Sequence, residues 1–336
     1  MAKLQSSEIV GVANRPATIC SNTMCIWFDT TNLKTVISYC GYSGAGTWST
    51  GGALITARAG LAGAGTQNVG LAMGGGTGGS NCLACTEEYN GTSWSAGGAM
   101  ITPRSVVGAA GTQNDGIVMG GGICGVSVLA CTEEYNGTSW SAGGAMITAR
   151  TAIGGVGTQN ESVVVGGTTD GYLEMSPTVS CTEEYNGTSW SAGGALITAR
   201  AGLAVAGTQN STVASGGQIS YNQSRTCTEE YNGTSWSVGG AMIFARVGLA
   251  GAGTQNLAIA IGGGTSGAWG FGTNYTCTEE YNGTSWSTGG SLINLRTYSS
   301  DGGSQNEAFV AGGYGSAALS CTEEYNKSLA IIDSIQ

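Results

Sequence analysis

Cys85-Thr86-Glu87-Glu88-Tyr89-Asn90-Gly91-Thr92-Ser93-Trp94 returns almost unchanged from Cys131, Cys181, Cys227 and Cys277, and a shortened copy runs from Cys321 to Asn326. The tryptophans Trp48, Trp94, Trp140, Trp190, Trp236 and Trp286 are spaced by 46, 46, 50, 46 and 50 residues. A period of this length marks a repeat architecture, in which each copy is one supersecondary unit that buries its core against its neighbours. The 336 residues therefore read as a repeat array rather than as several unrelated domains. Glycine is abundant (61 residues), but the hydrophobic fraction is 41%. The glycines also keep fixed places in each repeat, which points to tight turns and close backbone approach rather than to a linker.

Within the unit from Arg58 to Trp94, Ala59–Gly65 is an alanine- and glycine-rich run ending at the turn Gly65-Thr66-Gln67-Asn68. Val69–Met73 is a second apolar run, closed by Gly74-Gly75. A segment that differs between repeats follows, then Cys85–Tyr89, Asn90-Gly91, and Thr92–Ser95. Four short strands separated by turn signals fit this order. Asn-Gly between Tyr89 and Thr92 predicts a type I′ hairpin turn, and recurs at Asn136, Asn186, Asn232 and Asn282. The same Asn-Gly-Thr is also a glycosylation sequon, for which the turn is the simpler account. Strand alternation sends Cys85, Glu87 and Tyr89 to one side and Thr86, Glu88 and Asn90 to the other. Alanine and glycine are poor strand formers. They make sense where strands converge and leave no room for side chains.

Such units arranged about an axis are blades of a β-propeller, with the alanine-glycine strand innermost. The predicted fold is all-β, with four-stranded antiparallel blades. The order of arginine, inner strand, glycine pair, Tyr, polar turn and Trp resembles the kelch repeat from Trp48 to Tyr325. The glycine pairs are Gly74-Gly75, Gly120-Gly121, Gly166-Gly167, Gly216-Gly217, Gly262-Gly263 and Gly312-Gly313. The resemblance implies that Tyr and Trp pack between blades on a neighbour's glycine pair, each burying roughly 150–250 Å². Arg58, Arg104, Arg150, Arg200, Arg246 and Arg296 supply one arginine per Glu-Glu pair, so a repeated Arg–Glu bridge is expected. A ring of carboxylates holding cations is the competing idea, but lone Glu-Glu pairs lack the oxygen density of a calcium loop.

Residues 1–47 are irregular and 48–336 carry the propeller repeats. Arg15 to Trp48 is close to the length of a unit, so the first segment reads as a degenerate blade. Six clear units plus this one favour seven blades, with Ser328–Ile332 adding the missing outer strand. Six blades, with the Trp48 strand closing the last one as a clasp, is the alternative. The stretch Ile26-Trp27-Phe28-Asp29-Thr30-Thr31-Asn32 through Gly46-Thr47-Trp48 is similar to a short module of bacteriophage tail and appendage proteins. The repeats themselves resemble kelch-like repeats in virion proteins of aquatic phages.

Composition narrows the chemistry. Net charge is −10, with twelve of the 21 acids in the Glu-Glu pairs. A basic stripe for nucleic acid is therefore missing. Histidine is absent, which removes the commonest general base and metal ligand. The kelch fold includes copper-radical oxidases, but those hold copper through histidine. No cofactor or metal is expected. The N-terminal residues lack the pattern of a signal peptide and no run has the length of a membrane span. That predicts a protein assembled in a host cytoplasm and released by lysis. Of the 11 cysteines, six share one repeat position and read as small buried side chains, too far apart for mutual disulfides. Cys82 and Cys85 form a C-x-x-C without the second pair that zinc needs.

Between the glycine pair and the repeat cysteine the repeats are unlike in length and content. Those loops carry Tyr172, Tyr221, Arg225, Trp269, Phe271, Tyr275 and Tyr314, the candidate binding residues, and all should emerge on one face. Aromatics on such loops suit glycan stacking or protein contact. The resulting expectation is a non-enzymatic virion protein whose partners are other virion proteins and a host-surface glycan or protein, with a homo-oligomer as a further option. A polysaccharide hydrolase using Asp115, Asp170 or Glu174, and an intracellular interaction scaffold, are the alternatives.

Overall fold

The computed structural model describes residues 25–29, 34–42, 44–78, 81–123, 127–170, 177–220, 223–265 and 272–335. Among these, 47–326 form one compact unit, and the chain on either side contributes to a second. The larger unit is a ring of six four-stranded antiparallel sheets. It is an all-β propeller.

Blade 1 takes its strands, from the axis outward, as Ala59–Thr66, Val69–Gly76, Thr86–Tyr89 and Trp94–Ala96. Blades 2 to 5 repeat this order from Gly108–Gly111, Gly154–Gly157, Ala204–Thr208 and Ala250–Thr254. Blade 6 is built from both ends of the repeat region. Ser300–Gly303, Glu307–Ala311 and Thr322–Asn326 are sequential, and its outer strand is Thr47–Thr50, with Tyr325 opposite Trp48.

Among the described residues the ring closes with six blades, the alternative count, rather than the seven the sequence favoured. The last unit has no outer strand of its own, and Thr322–Asn326 would otherwise present an unpaired edge. Thr47–Thr50 fills it because Trp48 carries the same bonding groups as every other repeat tryptophan. Leu329–Ile335, expected in that position, pairs instead with Lys34–Tyr42, which also pairs with Cys25–Asp29. These three strands make a separate sheet.

Why the inner strands are alanine and glycine is now explicit. A Cβ on Gly63 would lie 2.1 Å from the Asp301 carbonyl of blade 6, and one on Gly155 would lie 2.9 Å from the Ala109 nitrogen of blade 2. At the loop end of these strands the blades are joined by a closed circle of main-chain hydrogen bonds. Val106 N donates to Gly60 O, Ala152 N to Val106 O, Gly202 N to Ala152 O, Gly248 N to Gly202 O, Tyr298 N to Gly248 O, and Gly60 N to Tyr298 O, at 2.6–3.0 Å. All six residues are in the left-handed region, three of them non-glycine: Val106 (φ 55°), Ala152 (φ 54°) and Tyr298 (φ 52°). That backbone is costly for a β-branched or bulky residue and persists only where the surroundings over-determine it. Six bonds closing on themselves do so here.

The repeated motif is the inter-blade joint. Thr86 and Glu88 face the next blade, whereas Tyr89 faces the previous one, as alternation requires. Trp140 Nε1 donates to Thr86 Oγ1 at 2.9 Å and to Gly98 O at 2.9 Å. Tyr135 donates to Glu88 Oε1 at 2.6 Å and its oxygen accepts from Gly98 N at 3.1 Å. The same pairs recur around the ring and close it, with Tyr89 on Glu324 and Trp94 on Thr322. Each Tyr and Trp also stack within a blade, 4.8–5.0 Å between ring centres. The aromatics therefore meet the linker pair Gly97-Gly98 rather than Gly74-Gly75, which docks on the next arginine's carbonyl (Gly75 N to Arg104 O, 2.9 Å). The turn glutamines add a further belt, as when Gln113 Nε2 donates to Gly70 O and Tyr89 O at 2.9 Å.

Burial, then the carboxylate of Glu324, Glu184 or Glu230, pushes the Tyr89, Tyr231 and Tyr281 hydroxyls up to about 12. A raised phenol favours its neutral form in the fold, so its contribution is complete below 10 and is lost as pH rises from 10 towards 12. Tyr135→Phe should cost about 1–3 kcal/mol, because Glu88 Oε1 and Gly98 N both lose their partner while the ring still packs. Urea unfolding near neutral pH would measure it, and a change within error would remove the hydroxyl from the joint.

The Asn-Gly hairpins are not two-residue type I′ turns. Tyr89 pairs with Trp94, leaving a loop of Asn90 to Ser93, and in it only Gly91 has positive φ (84°). Asn90 instead uses its side chain, Oδ1 accepting from Thr92 N at 3.0 Å and Ser93 N at 2.9 Å. An asparagine that can turn the chain through its own amide has no need of the left-handed region.

Candidate functional site

A four-stranded meander separates its connections onto two faces. On one lie the Gly-Thr-Gln-Asn and Asn-Gly-Thr-Ser turns, with the exposed acids Asp115, Glu161 and Glu307 beside them. Thr47 and Asn326, where the chain enters and leaves the ring, pair at this same edge. The other face carries the variable loops and the linkers between blades.

Each linker is pinned by the expected Arg–Glu pair, which lies within a blade. Arg150 Nη2 meets Glu183 Oε1 at 2.9 Å, and Arg58–Glu87, Arg200–Glu229 and Arg246–Glu279 span 3.3, 3.1 and 2.8 Å. Arg104–Glu133 and Arg296–Glu323 complete the set. The glutamate also accepts from linker amides, Ile147 N at 2.6 Å and Thr148 N at 3.1 Å for Glu183. Arg150 Nη1 reaches Gly166 O at 3.0 Å and Cys181 O at 2.9 Å. Burial pulls the Arg150 guanidinium below its usual range, and the Glu183 carboxylate pushes it back up. These glutamates are tied to a cation and two amides each. They are not a cation-binding ring.

The repeat cysteines are half-buried free thiols rather than fully buried ones; their carbonyls accept from the arginine, as Cys181 O does from Arg150 Nη1, and Cys321 Sγ also accepts from Arg296 Nη2 at 3.1 Å. Cys82 is disulfide-bonded, so the C-x-x-C is no zinc half-site. No cluster of three or more His, Cys, Asp or Glu suited to a metal occurs among the described residues.

Of the candidate binding residues, Arg225 and Tyr275 occupy equivalent half-buried positions in blades 4 and 5. Arg225 N donates to Gly217 O and Tyr275 N to Gly263 O, both at 2.8 Å. Leu83, Leu129, Val179 and Leu319 hold that place in the other blades. Tyr314 lies on the outgoing limb of its loop, bridged to Thr297 and Ala318. Tyr172, Tyr221, Trp269 and Phe271 lie outside the described residues, as does Glu174. Asp170 is exposed on the loop face and Asp115 on the turn face, so these two acids are not brought together.

The same face carries a feature the motif reading missed. Ile55, Ile101, Ile147, Ile197, Ile243 and Ile293, one per linker, are 47–63% exposed, while the preceding Leu54, Met100, Met146, Leu196, Met242 and Leu292 are buried. Phe244 and Leu295 extend this ring. An isoleucine kept at one position in all six linkers, with no core to enter, was the available signal. Exposed apolar side chains that gather into a contiguous patch on one face offer a contact surface.

The axis holds the second unanticipated residue. Two cavities, of about 90 Å³ on the loop side and 130 Å³ on the turn side, meet at a waist of Gly63, Ala109, Gly155, Val205, Gly251 and Asp301. Asp301 is the charged residue among the lining residues of both, and its Oδ2 accepts from Gly251 N at 2.9 Å. Burial pushes its carboxyl from 3.8 up to about 7, against the Gly251 N–H, which lowers it. The neutral form is thus favoured, and the stability it contributes is present below 3.8 and lost as pH rises through about 7. Pockets that hold a drug-sized ligand run to roughly 300 Å³ or more. Each cavity is smaller than that.

This geometry defines a six-bladed β-propeller of four-stranded antiparallel blades. The solved structure of YjhT is similar to it, with TM-score 0.66 and 14% identity, over 84% of this chain and 99% of that one. At that identity the likeness establishes the fold. No family model matches the sequence, and no curated protein matches it.

Proposed function

We propose that the chain is a non-enzymatic binding and structural module of a virion, a bacteriophage tail, fibre or decoration protein. In this reading its loop face contacts a host-surface glycan or protein, and neighbouring virion proteins hold its other side. The observation that carries the reading is the difference between the two faces. Chain entry and exit lie at the constant, acidic turn face, whereas loop variation, Arg225, Tyr275, Tyr314 and the isoleucine ring share the opposite one. A scaffold tethered at one end and individual at the other is suited to presenting a recognition surface. The kelch-like order of the repeats and the tail-like Ile26–Trp48 stretch support the virion setting.

The test is binding of the whole chain to an array of bacterial surface polysaccharides and to cells. Arg225→Ala with Tyr275→Ala should weaken binding at least tenfold, the scale of interface anchors. Binding unchanged in that variant, and in one with the 168–180 and 264–276 loops shortened, would move the contact off this face. Turnover of any arrayed polysaccharide would favour the hydrolase alternative instead.

A further inference from the structure

The axial waist has one position per blade, and five of the six are Gly63, Ala109, Gly155, Val205 and Gly251. Asp301 alone departs from that pattern. Asp301 lines both cavities, and every other residue that lines them is uncharged. The tyrosine that shares the loop-side cavity, Tyr298, has its hydroxyl pushed up by burial and stays neutral. No arginine or lysine faces Asp301 from the neighbouring strands around Gly63 or Gly251. Asp301 is half-buried, and a carboxylate held away from bulk water is favoured by a partner of opposite charge. The inner strands are sheet edges, and an edge strand presents one row of main-chain N–H and C=O groups without a strand partner. A single carboxylate, with main-chain carbonyls as the further oxygen donors such a strand edge can offer, would match a single positive charge on a hard ion.

We propose that the axial cavity beside Asp301 binds a monovalent hard cation of the sodium or potassium class, which neutralises the carboxylate and locks blade 5 to blade 6. Ionised Asp301 keeps its bond from Gly251 N while the ion takes the other oxygen. Protonation of Asp301 and the ion are then alternative occupants of one site, so binding disappears in acid.

Thermal unfolding of the full chain, in sodium, potassium or choline chloride at matched ionic strength, tests this. At about pH 8.5, where the carboxyl is ionised, sodium or potassium should raise the midpoint by about 2–4 °C over choline. At about pH 5 the three salts should coincide. Asp301→Asn keeps an acceptor for Gly251 N but no charge, and should be indifferent to the cation at both pH values. A cation response that persists in Asp301→Asn or in acid overturns the site, and so does equality of the three salts at high pH. A response to calcium or magnesium without one to sodium or potassium overturns the monovalent assignment. Isotope-labelled Asp301 carboxyl NMR supplies a reading independent of stability: its titration midpoint should fall when choline is replaced by the bound cation.

Discussion

Replacing Trp48 by Ala is expected to open the ring, not merely to weaken one blade. The indole donates to Thr278 Oγ1 and Gly290 O, both at 3.0 Å, and stacks on Tyr325 at 5.0 Å. Truncating a buried tryptophan costs about 3–5 kcal/mol. Trp190→Ala should cost a similar amount, since it loses the same bonds to Thr132 and Gly144. The difference is connectivity. In blade 3 a short turn keeps Trp190–Ala192 beside Thr182–Tyr185 even when the side chain is gone. In blade 6 the partners Thr47–Thr50 and Thr322–Asn326 lie at opposite ends of the repeat region, so no short loop holds them together. Amide hydrogen exchange should therefore accelerate across Thr322–Asn326 in Trp48→Ala, and at the junctions of blade 6 with blades 1 and 5. Trp190→Ala should leave exchange in blade 6 unchanged. Equal, local responses in the two variants would mean that the ring does not depend on its clasp.

The propeller was legible because its joints are repeated side chains. One Tyr, one Trp, one Arg and one Glu-Glu pair per period survive translation from sequence to contact, since each makes the same bond in every blade. Blade count was not legible, because it depends on which strand wins an open edge. Leu329–Ile335 and Thr47–Thr50 both have strand composition, and only the second brings a tryptophan that reaches Thr278. The turn type was misjudged for a related reason: Asn-Gly signals a left-handed pair only when the asparagine amide is not itself bonding to the main chain, and Asn90 bonds twice. The site was legible as a face, through the loops that differ, but not as a set of contacts. Arg225 and Tyr275 align only when the main-chain bonds to Gly217 and Gly263 are known. Asp301 and the isoleucine ring were passed over because one breaks a monotonous strand by a single residue and the other never varies. Contact surfaces and internal charges are both exceptions to packing, and a motif read for what it packs conceals them.

Arg150→Met should be among the most damaging single changes, at about 3–5 kcal/mol, since it leaves a buried carboxylate without its cation. Glu183 would retain the amides of Ile147 and Thr148, which places the loss toward the lower end. Glu183→Gln is the complementary case. It keeps an acceptor for the linker but leaves the Arg150 guanidinium buried without a carboxylate, its protons received by the carbonyls of Thr148, Gly166 and Cys181. The double variant Arg150→Met with Glu183→Gln removes both charges while an amide oxygen still faces the linker. It should be more stable than the sum of the singles predicts by about 1–3 kcal/mol, the range for residues that share one network. Urea midpoints for the four proteins decide it. Additive losses would assign the stability to the separate backbone bonds of Arg150 and Glu183, leaving nothing for the pair. A large positive coupling would make the ion pair a device for linker register, in which charge burial opposes folding and the geometry of the joint is what the pair secures. The isoleucine at the exposed tip of each linker depends on that register: Ile147 N is held by the same carboxylate that Arg150 holds. Exchange at the Ile147 amide should then rise in Arg150→Met and recover in part in the double variant, linking the buried pair to the shape of the face above it.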